Sequence, residues 1–523
     1  MKSVRTLSII LAIVGSQICT FYEAKAQNLS GREKIEAIEF SPLEFVQPSP
    51  EYYEVSGTQV LLLEDRSLPL ITVAAQFQGG YGRFARDTYA SAMGLPAMMR
   101  YGGTRTLTPD SLDLLLDYYA IQTSFGTGGG SISSSMNSLT EQFPIALNLW
   151  GEMLTEPRFD RDQIDIWRGL QLERLLRRKD NPSTFAFSQF NRLLYADHPI
   201  GWEMDESDLA TSLIEPGRFR EIHRHIICRD NMILGITGDL SWSDSEAVIQ
   251  DLVDRVPPCA DSLPDSPIPN IRREPGIFVI ERELEQAVIV MAHPSAVKLA
   301  DDPTYFAATM GNSILGSGGF TSRLLGHLRI EEGLAYSASS IWTTPRRYDG
   351  LVGALTSTTP ENAIPAIELM TETMHELREA PPTDRELGTA VDRVVNGFVF
   401  NFQTPTRVVS RIMSYLAQDL PEDWLERYSR GIQKITPEQV HKVFTDPLYP
   451  EEMTILVVGD VNRIGLAALE RLGPVTVLRV DCPSLKPHPS GSPQSHRLGV
   501  STPHHETPPL QKASRNLQAL ETL

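Results

Sequence analysis

Residues 230–240 read DNMILGITGDL, and residues 451–461 read EEMTILVVGDV. Each stretch is an apolar run of strand length that ends in Gly-Asp, and each is followed by a helical pattern, at 243–256 and at 462–472. The two copies begin 221 residues apart. Because solenoid repeats are about 20–50 residues long, this period indicates a duplicated domain instead.

Other parts of the two halves repeat as well. Residues 58–64 and 70–78 are apolar and β-rich, and residues 275–281 and 286–293 repeat that pair of strands. Amphipathic helical stretches lie between the strands, at 109–119, 140–155, 161–179 and 184–195 in the first half and at 302–315, 361–379, 384–400 and 423–432 in the second. Long helices with flanking strands predict an α+β fold of two homologous domains, each a mainly antiparallel sheet covered by helices.

Composition sets the predicted domain boundaries. Residues 256–273 carry five prolines and little periodicity, which is typical of a linker. From 483 the chain is rich in Pro, Ser and His and has few large apolar residues, which predicts a disordered tail. The predicted organisation is a signal peptide at 1–26, an N-terminal extension at 27–44, a first domain at 45–255, the linker at 256–273, a second domain at 274–482 and the tail at 483–523.

The overall composition excludes several classes of protein. The chain has 523 residues, of which 41% are hydrophobic and 22% charged, so most of it is ordinary globular material. Its formal charge is 47 − 66 = −19. A nucleic-acid partner is not expected, because neutralising phosphates requires a basic face. Collagen-like, disulfide-framework and polytopic membrane proteins are excluded as well.

The first residues resemble a secretory signal. Lys2 and Arg5 precede the apolar run 7–14, which is too short to span a bilayer, and Ala24-Lys25-Ala26 offers a small-x-small cleavage site. An uncleaved anchor is the alternative. No later stretch is long and apolar enough to span a membrane. We expect an exported protein, periplasmic or extracellular, with no membrane span after cleavage.

Three cysteines remain after the signal: Cys228, Cys259 and Cys482. An odd number in an exported protein allows one disulfide at most, and the wide spacing fits no cysteine-based zinc pattern. A structural role is expected, with a Cys259–Cys482 pair as one possibility.

Several motifs carry a resemblance to a known family. They are Gln78-Gly79-Gly80, Gly102-Gly103-Thr104, the Ser/Gly strand 126–135, the stretch 196–201 (ADHPIG), the stretch 316–324 (GSGGFTSRL) and the stretch 328–337 (LRIEEGLAYS). In their order and spacing the chain resembles the insulinase/pitrilysin-like zinc peptidases, and in particular the processing-peptidase-like branch of two-domain chains. The resemblance covers roughly residues 45–480, and it implies a clam-like arrangement of the two homologous domains.

The first half lacks the motif that carries zinc in active members of that family. There, His-x-x-Glu-His places two imidazoles one helical turn apart, with the Glu as general base, and a Glu on a later helix completes the site. Counted back from Gly103-Thr104, the motif window falls on residues 93–97 (MGLPA), none of which binds zinc or takes a proton. Glu173 lies about where the third ligand would be, but one acid on a charged helix is more simply a surface residue.

Other candidate metal ligands do not form a site. His223 and His225 are two residues apart and would point in different directions on a helix. His375-Glu376 lacks the second histidine of a His-Glu-x-x-His motif, and His504-His505 lies in the predicted tail. The sequence therefore predicts no catalytic zinc in this chain. Residues 316–320 (GSGGF) lack the P-loop pattern, and no Gly-x-Ser-x-Gly elbow occurs, so a nucleotide and a serine hydrolase are not expected.

The second half keeps two residues of interest, Arg329 and Tyr336. The resemblance implies that an Arg and a Tyr at this spacing contact substrate next to the scissile bond. We predict a helix over 320–332 that ends at Gly333, followed by a strand over 334–340 on which Tyr336 shares a face with Ala338 and Ser340. Guanidinium and phenol would then donate to one carbonyl oxygen and stabilise an oxyanion. A salt bridge of Arg329 with a neighbouring glutamate, beside a half-buried tyrosine, is the alternative.

The stretch 126–135 (GTGGGSISSS) is small and polar. In the family reading, Ser131, Ser133 and Ser135 belong to a strand edge that takes an extended peptide by strand addition. A flexible glycine loop is the other interpretation.

The hypothesis that joins these features is a division of labour between two chains. This chain would be the non-zinc-binding, substrate-clamping subunit of a two-chain insulinase-like peptidase, and a homologous subunit with an intact zinc motif would supply the zinc. On its own the chain is not expected to be an enzyme. Two rivals stay open: a catalytically inactive scaffold or peptide-binding protein of the same fold, and an enzyme with an unrecognised site.

Overall fold

The computed structural model of the chain describes residues 48–259 and 266–479. The predicted signal peptide, the N-terminal extension and the tail lie outside the described residues. The first half contains strands β1 Glu51–Val55, β2 Thr58–Glu64, β3 Leu70–Gln78, β4 Gln122–Thr127, β5 Ser131–Leu139 and β6 Met232–Gly238, and helices α1 Arg86–Tyr101, α2 Pro109–Tyr118, α3 Phe143–Thr155, α4 Arg161–Arg177, α5 Pro182–Tyr195, α6 Pro216–Ile226 and α7 Trp242–Arg255.

The second half repeats this order of elements. Its strands are β7 Gly276–Glu281, β8 Ala287–Ser295, β9 Ala335–Trp342, β10 Gly350–Thr358, β11 Thr454–Gly459 and β12 Val475–Val477, and its helices are α8 Pro303–Asn312, α9 Arg323–Leu325, α10 Ala363–Glu379, α11 Asp384–Phe398, α12 Pro405–Leu416, α13 Trp424–Ile432, α14 Pro437–Thr445, α15 Val461–Ile464 and α16 Leu466–Leu472. The mixed α+β class predicted from the sequence is confirmed.

Each half forms one six-stranded sheet, and the two sheets share a topology. Their strand orders are β1-β2-β6-β3-β5-β4 and β12-β7-β11-β8-β10-β9. The repeated Gly-Asp strands, β6 and β11, are interior in both sheets; each runs parallel to one neighbour and antiparallel to the other. The sheets differ at one edge, where β1 is antiparallel to β2 but β12 is parallel to β7. The internal repeat in the sequence is therefore a repeat of strand order.

Each sheet is also covered by a helix from the other half. The aromatic side chains of Phe185 and Phe190 on α5 pack against the second sheet, in one cluster with Val288 and Leu456. In return, α12 packs on β6 of the first sheet. Gly235 makes that approach possible, since a Cβ at this position would lie 2.4 Å from the Met413 Sδ atom. The exchange covers both faces of the central strands, which explains why all nine residues of β8 are buried.

The disulfide joins Cys228 to Cys259, with the Cα atoms 4.9 Å apart. The Cys259–Cys482 pair considered from the sequence is therefore wrong, and Cys482 lies outside the described residues. Local hydrogen bonds account for the observed pairing: the Arg229 N–H donates to the Pro257 carbonyl oxygen at 2.8 Å, and the Cys259 N–H donates to the Asp230 carboxylate at 2.9 Å. They return the chain after α7 to the end of α6, where two cysteines come within bonding distance.

Within the described part of the chain, no helix combines the length and the apolar composition that crossing a membrane requires. The predicted domain boundaries remain predictions.

Candidate functional site

Arg329 and Tyr336 meet at the surface of the second half. The Arg329 guanidinium carbon lies 4.3 Å from the Tyr336 ring centroid and 5.0 Å from the Phe320 ring centroid. Both rings are largely exposed, Tyr336 by 76% and Phe320 by 64%. Cation–π contacts of this kind contribute about 0.5–1 kcal/mol each at exposed sites. The two rings therefore hold the guanidinium in place while leaving its edge accessible.

The segment before Tyr336 is not the single helix predicted for 320–332. It consists of a 3₁₀ turn at Gly319–Thr321, the short helix α9, and a π-helical turn at Gly326–Glu331. The turn before the helix is set by glycines: Gly319 has φ +61°, and a Cβ at Gly318 would lie 2.3 Å from the Ser313 carbonyl oxygen. The predicted end at Gly333 is confirmed, since this residue has φ +64°.

A β-bulge places Tyr336 at the start of β9. Ser337 pairs with Ser357 and Ala335 with Thr358 on β10, so Tyr336 has no partner residue. The prediction that Tyr336 shares a face with Ala338 and Ser340 is wrong, because the extra residue breaks the alternation of the strand. Ala338 is buried, whereas Tyr336 is exposed. The bulge thus directs the phenol outward, toward Arg329.

The alternative role for Arg329, a salt bridge with a neighbouring glutamate, does not occur. Among the described residues no carboxylate lies within 4.0 Å of its guanidinium. In its sheet β9 pairs only with β10, so its other edge faces no described strand. The structure therefore brings together a cation without a counter-charge, a phenol and an unpaired strand edge. These groups can bind the backbone of an extended peptide.

Ser131, Ser133 and Ser135 do not lie at a sheet edge. They belong to β5, which pairs with β3 on one side and with β4 on the other, so the edge assignment is wrong. The stretch 126–135 reads as one strand, but the chain reverses within it: the Gly128 N–H donates to the Ser131 carbonyl oxygen at 2.8 Å and closes a hairpin. On this side the edge strand of the first sheet is β4. Ser133 and Ser135 instead line a cavity of about 270 Å³ that Met413 and its α12 neighbours close.

The window of the missing zinc motif lies on α1. Met93, Pro96 and Ala97 line one cavity of about 330 Å³, so the three positions that would carry the two imidazoles and the general base do converge. A thioether, a pyrrolidine ring and a methyl group do not fit a zinc ion, which requires imidazole, thiolate or carboxylate donors. Trp167 of α4 lies against this helix: a Cβ at Gly94 would lie 2.9 Å from its ring.

The remaining ligand candidates stay apart. Glu173 is exposed and pairs with Arg177 at 2.8 Å rather than lining the cavity. His223 is buried, with its Nε2 2.7 Å from the Leu154 carbonyl oxygen, and burial lowers its pKa to about 4. His375 is exposed, and His504-His505 lies outside the described residues. Among the described residues no group of three or more His, Cys, Asp or Glu side chains is arranged to hold a metal ion.

Sequence reasoning missed Phe320 and the polar lining of the α1 cavity. Phe320 lies in the stretch 316–324, but its ring reaches Arg329 because of the turn that the chain makes at Gly319–Thr321. Arg174, which lines the cavity, is next to Glu173 in sequence and one helical position away. Apart from the residue types themselves, nothing in the sequence indicates the Phe320–Arg329 contact or the position of Arg174 in the cavity wall.

Comparison with known proteins finds relatives of one family. The family description "peptidase M16 inactive domain" matches residues 214–394. An uncharacterized zinc protease of Streptomyces coelicolor is 23% identical over 319 residues, which cover 59% of this chain and 68% of that relative. The non-peptidase homolog YmxG of Helicobacter pylori is 20% identical over 408 residues, which cover 77% of this chain and 92% of that relative.

A solved structure shows the same fold. The crystal structure of the peptidase M16 inactive domain from Pseudomonas fluorescens superposes with a TM-score of 0.70 at 24% identity, covering 79% of this chain and 98% of that one. The sequence relatives, the shared fold and the absence of the zinc motif all indicate a likeness to the same family. The chain is thus similar to the insulinase-like peptidases of the M16 family: its residues 214–394 match the domain described as inactive, and its sequence lacks the His-x-x-Glu-His zinc motif.

Proposed function

We propose that this chain is the substrate-clamping, non-zinc-binding subunit of a two-chain peptidase that acts on peptides in an exported compartment. One observation carries the proposal: the Arg329 guanidinium, without a described carboxylate partner, lies between the rings of Phe320 and Tyr336 at the start of an edge strand.

The clamp acts on the backbone of the substrate. An extended peptide adds to the free edge of β9, where main-chain hydrogen bonds hold it without regard to its side chains. The Arg329 guanidinium and the Tyr336 hydroxyl then donate to the carbonyl oxygen of the bond to be cleaved. Donors fixed at a developing oxyanion are worth roughly 10²–10³ in rate each, because they need no reorganisation during the reaction.

The zinc belongs to a partner chain in this proposal. A homologous subunit with an intact His-x-x-Glu-His motif supplies the metal-activated water, which Met93, Pro96 and Ala97 cannot bind or deprotonate. Neither subunit is then competent alone. Peptides are the substrate class, and neither nucleic acid nor a membrane takes part.

Export is supported by two features. The N-terminal residues fit a cleavable signal, and the disulfide between Cys228 and Cys259 is of a kind that forms and persists in oxidising compartments. We therefore place the working protein in the periplasm or outside the cell.

A second candidate function is a scaffold or peptide-binding protein without any part in catalysis. The likeness to a non-peptidase homolog favours it. It differs from the clamp in one respect: it predicts that no cleavage anywhere depends on Arg329 or Tyr336.

Reconstitution tests the proposal. The chain would be purified alone and after co-expression with each zinc-motif relative encoded in the same genome, and zinc content and cleavage of an unstructured fluorogenic peptide would be measured. We expect a stable complex that holds zinc only in the partner and cleaves far faster than either chain. Stoichiometric zinc and full activity in the lone chain would contradict the proposal.

A further inference from the structure

The cavity at the lost zinc motif has a chemistry of its own. It measures about 330 Å³ and lies between one face of α1, the edge strand β4 and helix α4. Its walls combine three aromatic rings with two guanidinium groups and several hydroxyls; the aromatic and cationic members are Tyr101, Phe125, Trp167, Arg100 and Arg174. A volume of this size is at the small end of ligand sites. It suits one amino-acid residue rather than a long segment.

The cavity is positively charged in a chain that is strongly acidic. The only hydrogen bond of the Arg174 guanidinium within the described residues is to the Gln171 side-chain oxygen, at 3.3 Å, and no described carboxylate lies within 4.0 Å. Arg100 is held by Asp113 at 2.7 Å and lies over the Tyr101 ring. Glu173, the nearest acid along α4, is engaged by Arg177. One positive charge, on the exposed Arg174, thus has no counter-charge among the described residues.

A buried polar atom also lacks a partner here. The Thr123 Oγ1 atom is buried and makes no hydrogen bond within the described part of the chain. Thr123 lies on β4 and lines the cavity. Because this oxygen has almost no accessible surface, it belongs to the wall beneath the cavity and offers no donor to a bound group.

We propose that this cavity binds the C-terminal residue of a peptide: its free carboxylate on Arg174 and Arg100, and its apolar side chain among the rings of Phe125 and Trp167. Guanidinium groups bind carboxylates with paired, charge-assisted hydrogen bonds, and Arg174 and Arg100 both line the cavity. The unpaired edge of β4 takes the residues that precede the C-terminus. Two guanidinium groups thus lie beside the position of the missing zinc motif, and in this proposal they recognise the carboxylate of a peptide.

The inference deepens the proposed function by naming a substrate class, peptides with a free C-terminus and an apolar last residue. It rests on the proposed function only in taking peptides as the substrates, since the strand edge used here is β4 and not β9. The carboxylate contact itself belongs to the first half and can be measured on the chain alone, without partner or zinc. Failure of either proposal is therefore seen separately.

The test uses a fluorescently labelled, unstructured hexapeptide that ends in phenylalanine, made as the free acid and as the C-terminal amide. Fluorescence anisotropy with the full chain measures the two dissociation constants. We expect the free acid to bind about tenfold or more tightly than the amide, as is typical of a charge-assisted pair. Arg174→Gln should remove this difference. Arg177→Gln, on the same helix but outside the cavity, should leave it unchanged.

Three results would overturn the inference. They are equal affinity of acid and amide, an equal effect of Arg177→Gln and Arg174→Gln, and competition by N-acetylphenylalanine as effective as that by the peptide. The last result would assign the cavity to small free carboxylates rather than to peptide ends. If acid and amide differ through Arg174 while the reconstituted pair cleaves nothing, the inference stands and the clamp proposal fails. If acid and amide bind equally while the reconstituted pair cleaves through Arg329 and Tyr336, the clamp proposal stands and this inference fails.

Discussion

Arg329 lies 4.3 Å from the ring centroid of Tyr336, seven residues further along the chain. Two backbone features bring them together. Gly333 adopts φ +64° and turns the chain back after the π-helical segment, and the bulge at Tyr336 redirects its ring out of the strand. The pair is thus a product of local backbone geometry, at the accessible edge of a sheet.

The second ring beside Arg329 gives the first prediction. Phe320→Ala removes one of the two aromatic contacts of the guanidinium but none of the proposed donors, so the arginine should become more mobile. We expect cleavage efficiency of the reconstituted pair to fall about two- to fivefold, which corresponds to about 0.5–1 kcal/mol. Steady-state kinetics checks this, with Phe320→Tyr as the matched control that keeps the ring. A loss with Phe320→Tyr as large as that with Phe320→Ala would argue against ring stacking.

The contact between α12 and the first sheet gives a prediction about stability. Gly235→Ala places a Cβ against the Met413 thioether, so we expect a loss of about 1–3 kcal/mol in the free energy of unfolding. Gly169→Ala is the control: it lies on α4 with no heavy atom within 4 Å of the added Cβ, and it should stabilise by up to about 1 kcal/mol. Urea unfolding measures both. Equal effects would show that α12 does not pack closely on β6.

The disulfide gives a third prediction. Cys228 and Cys259 are 31 residues apart, and the chain-entropy treatment gives about 3–4 kcal/mol for a loop of that length. Cys259→Ser should lower the unfolding free energy by about this amount, and reduction of the wild-type protein should do the same. Peptide mapping under non-reducing conditions should recover the 228–259 cross-link unchanged in Cys482→Ser. A cross-link that involves Cys482 would contradict the structure.

Buried His223 predicts how stability depends on pH. Burial lowers its pKa from 6.5 to about 4, so the unfolded chain takes up the proton first. The titration of His223 therefore leaves the free energy of unfolding unchanged above about pH 6.5 and lowers it as pH falls from there toward 4. At about pH 5 the loss amounts to roughly 2 kcal/mol. His223→Gln keeps an N–H for the Leu154 carbonyl and should flatten the curve by that amount. Glu386, whose pKa is lowered to about 2, does not interfere, because its contribution is lost only as pH falls from 4.5 toward 2.

The control for this measurement is the wild-type protein under the same conditions. His293 also has a lowered pKa, mainly because it is buried, and it titrates in the same direction in both proteins. Only the difference between the two curves therefore reports on His223. Curves that run parallel from about pH 7.5 to 5 would show that His223 is not buried as a neutral imidazole.

The regular parts of the fold could be predicted from the sequence because their patterns are local. Residues 58–64 and 70–78 are strands with the predicted bounds, since each apolar run ends at a polar turn. The duplication was visible because β6 and β11 occupy the same interior position in both sheets, where burial on both faces permits only apolar residues. α12 is not among the predicted helices although Thr404 caps it and Pro405 begins it; what the sequence does not indicate is that this helix covers a sheet of the other half.

The site was predicted only in its residue types. Arg329 and Tyr336 do meet, but the bulge and the π-helical turn that bring them together depend on close approaches of Gly318 and on pairing with β10. The edge assigned to Ser133 is wrong for a similar reason: of the two interpretations of 126–135, a strand or a glycine loop, the sequence does not decide, and the three successive glycines form a hairpin turn between two strands. Turns that depend on positive φ or on a distant partner strand are not encoded in apolar periodicity.

The most direct measurement of the central claim is the cleavage rate of the reconstituted two-chain complex with Arg329→Ala or Tyr336→Phe in this chain, alongside a check by size-exclusion chromatography that the complex still assembles. The account predicts an intact, zinc-loaded complex whose kcat/KM is lower by roughly a hundredfold for Arg329→Ala and by roughly tenfold or more for Tyr336→Phe. Unchanged cleavage by both variants would contradict it and leave the chain as a scaffold.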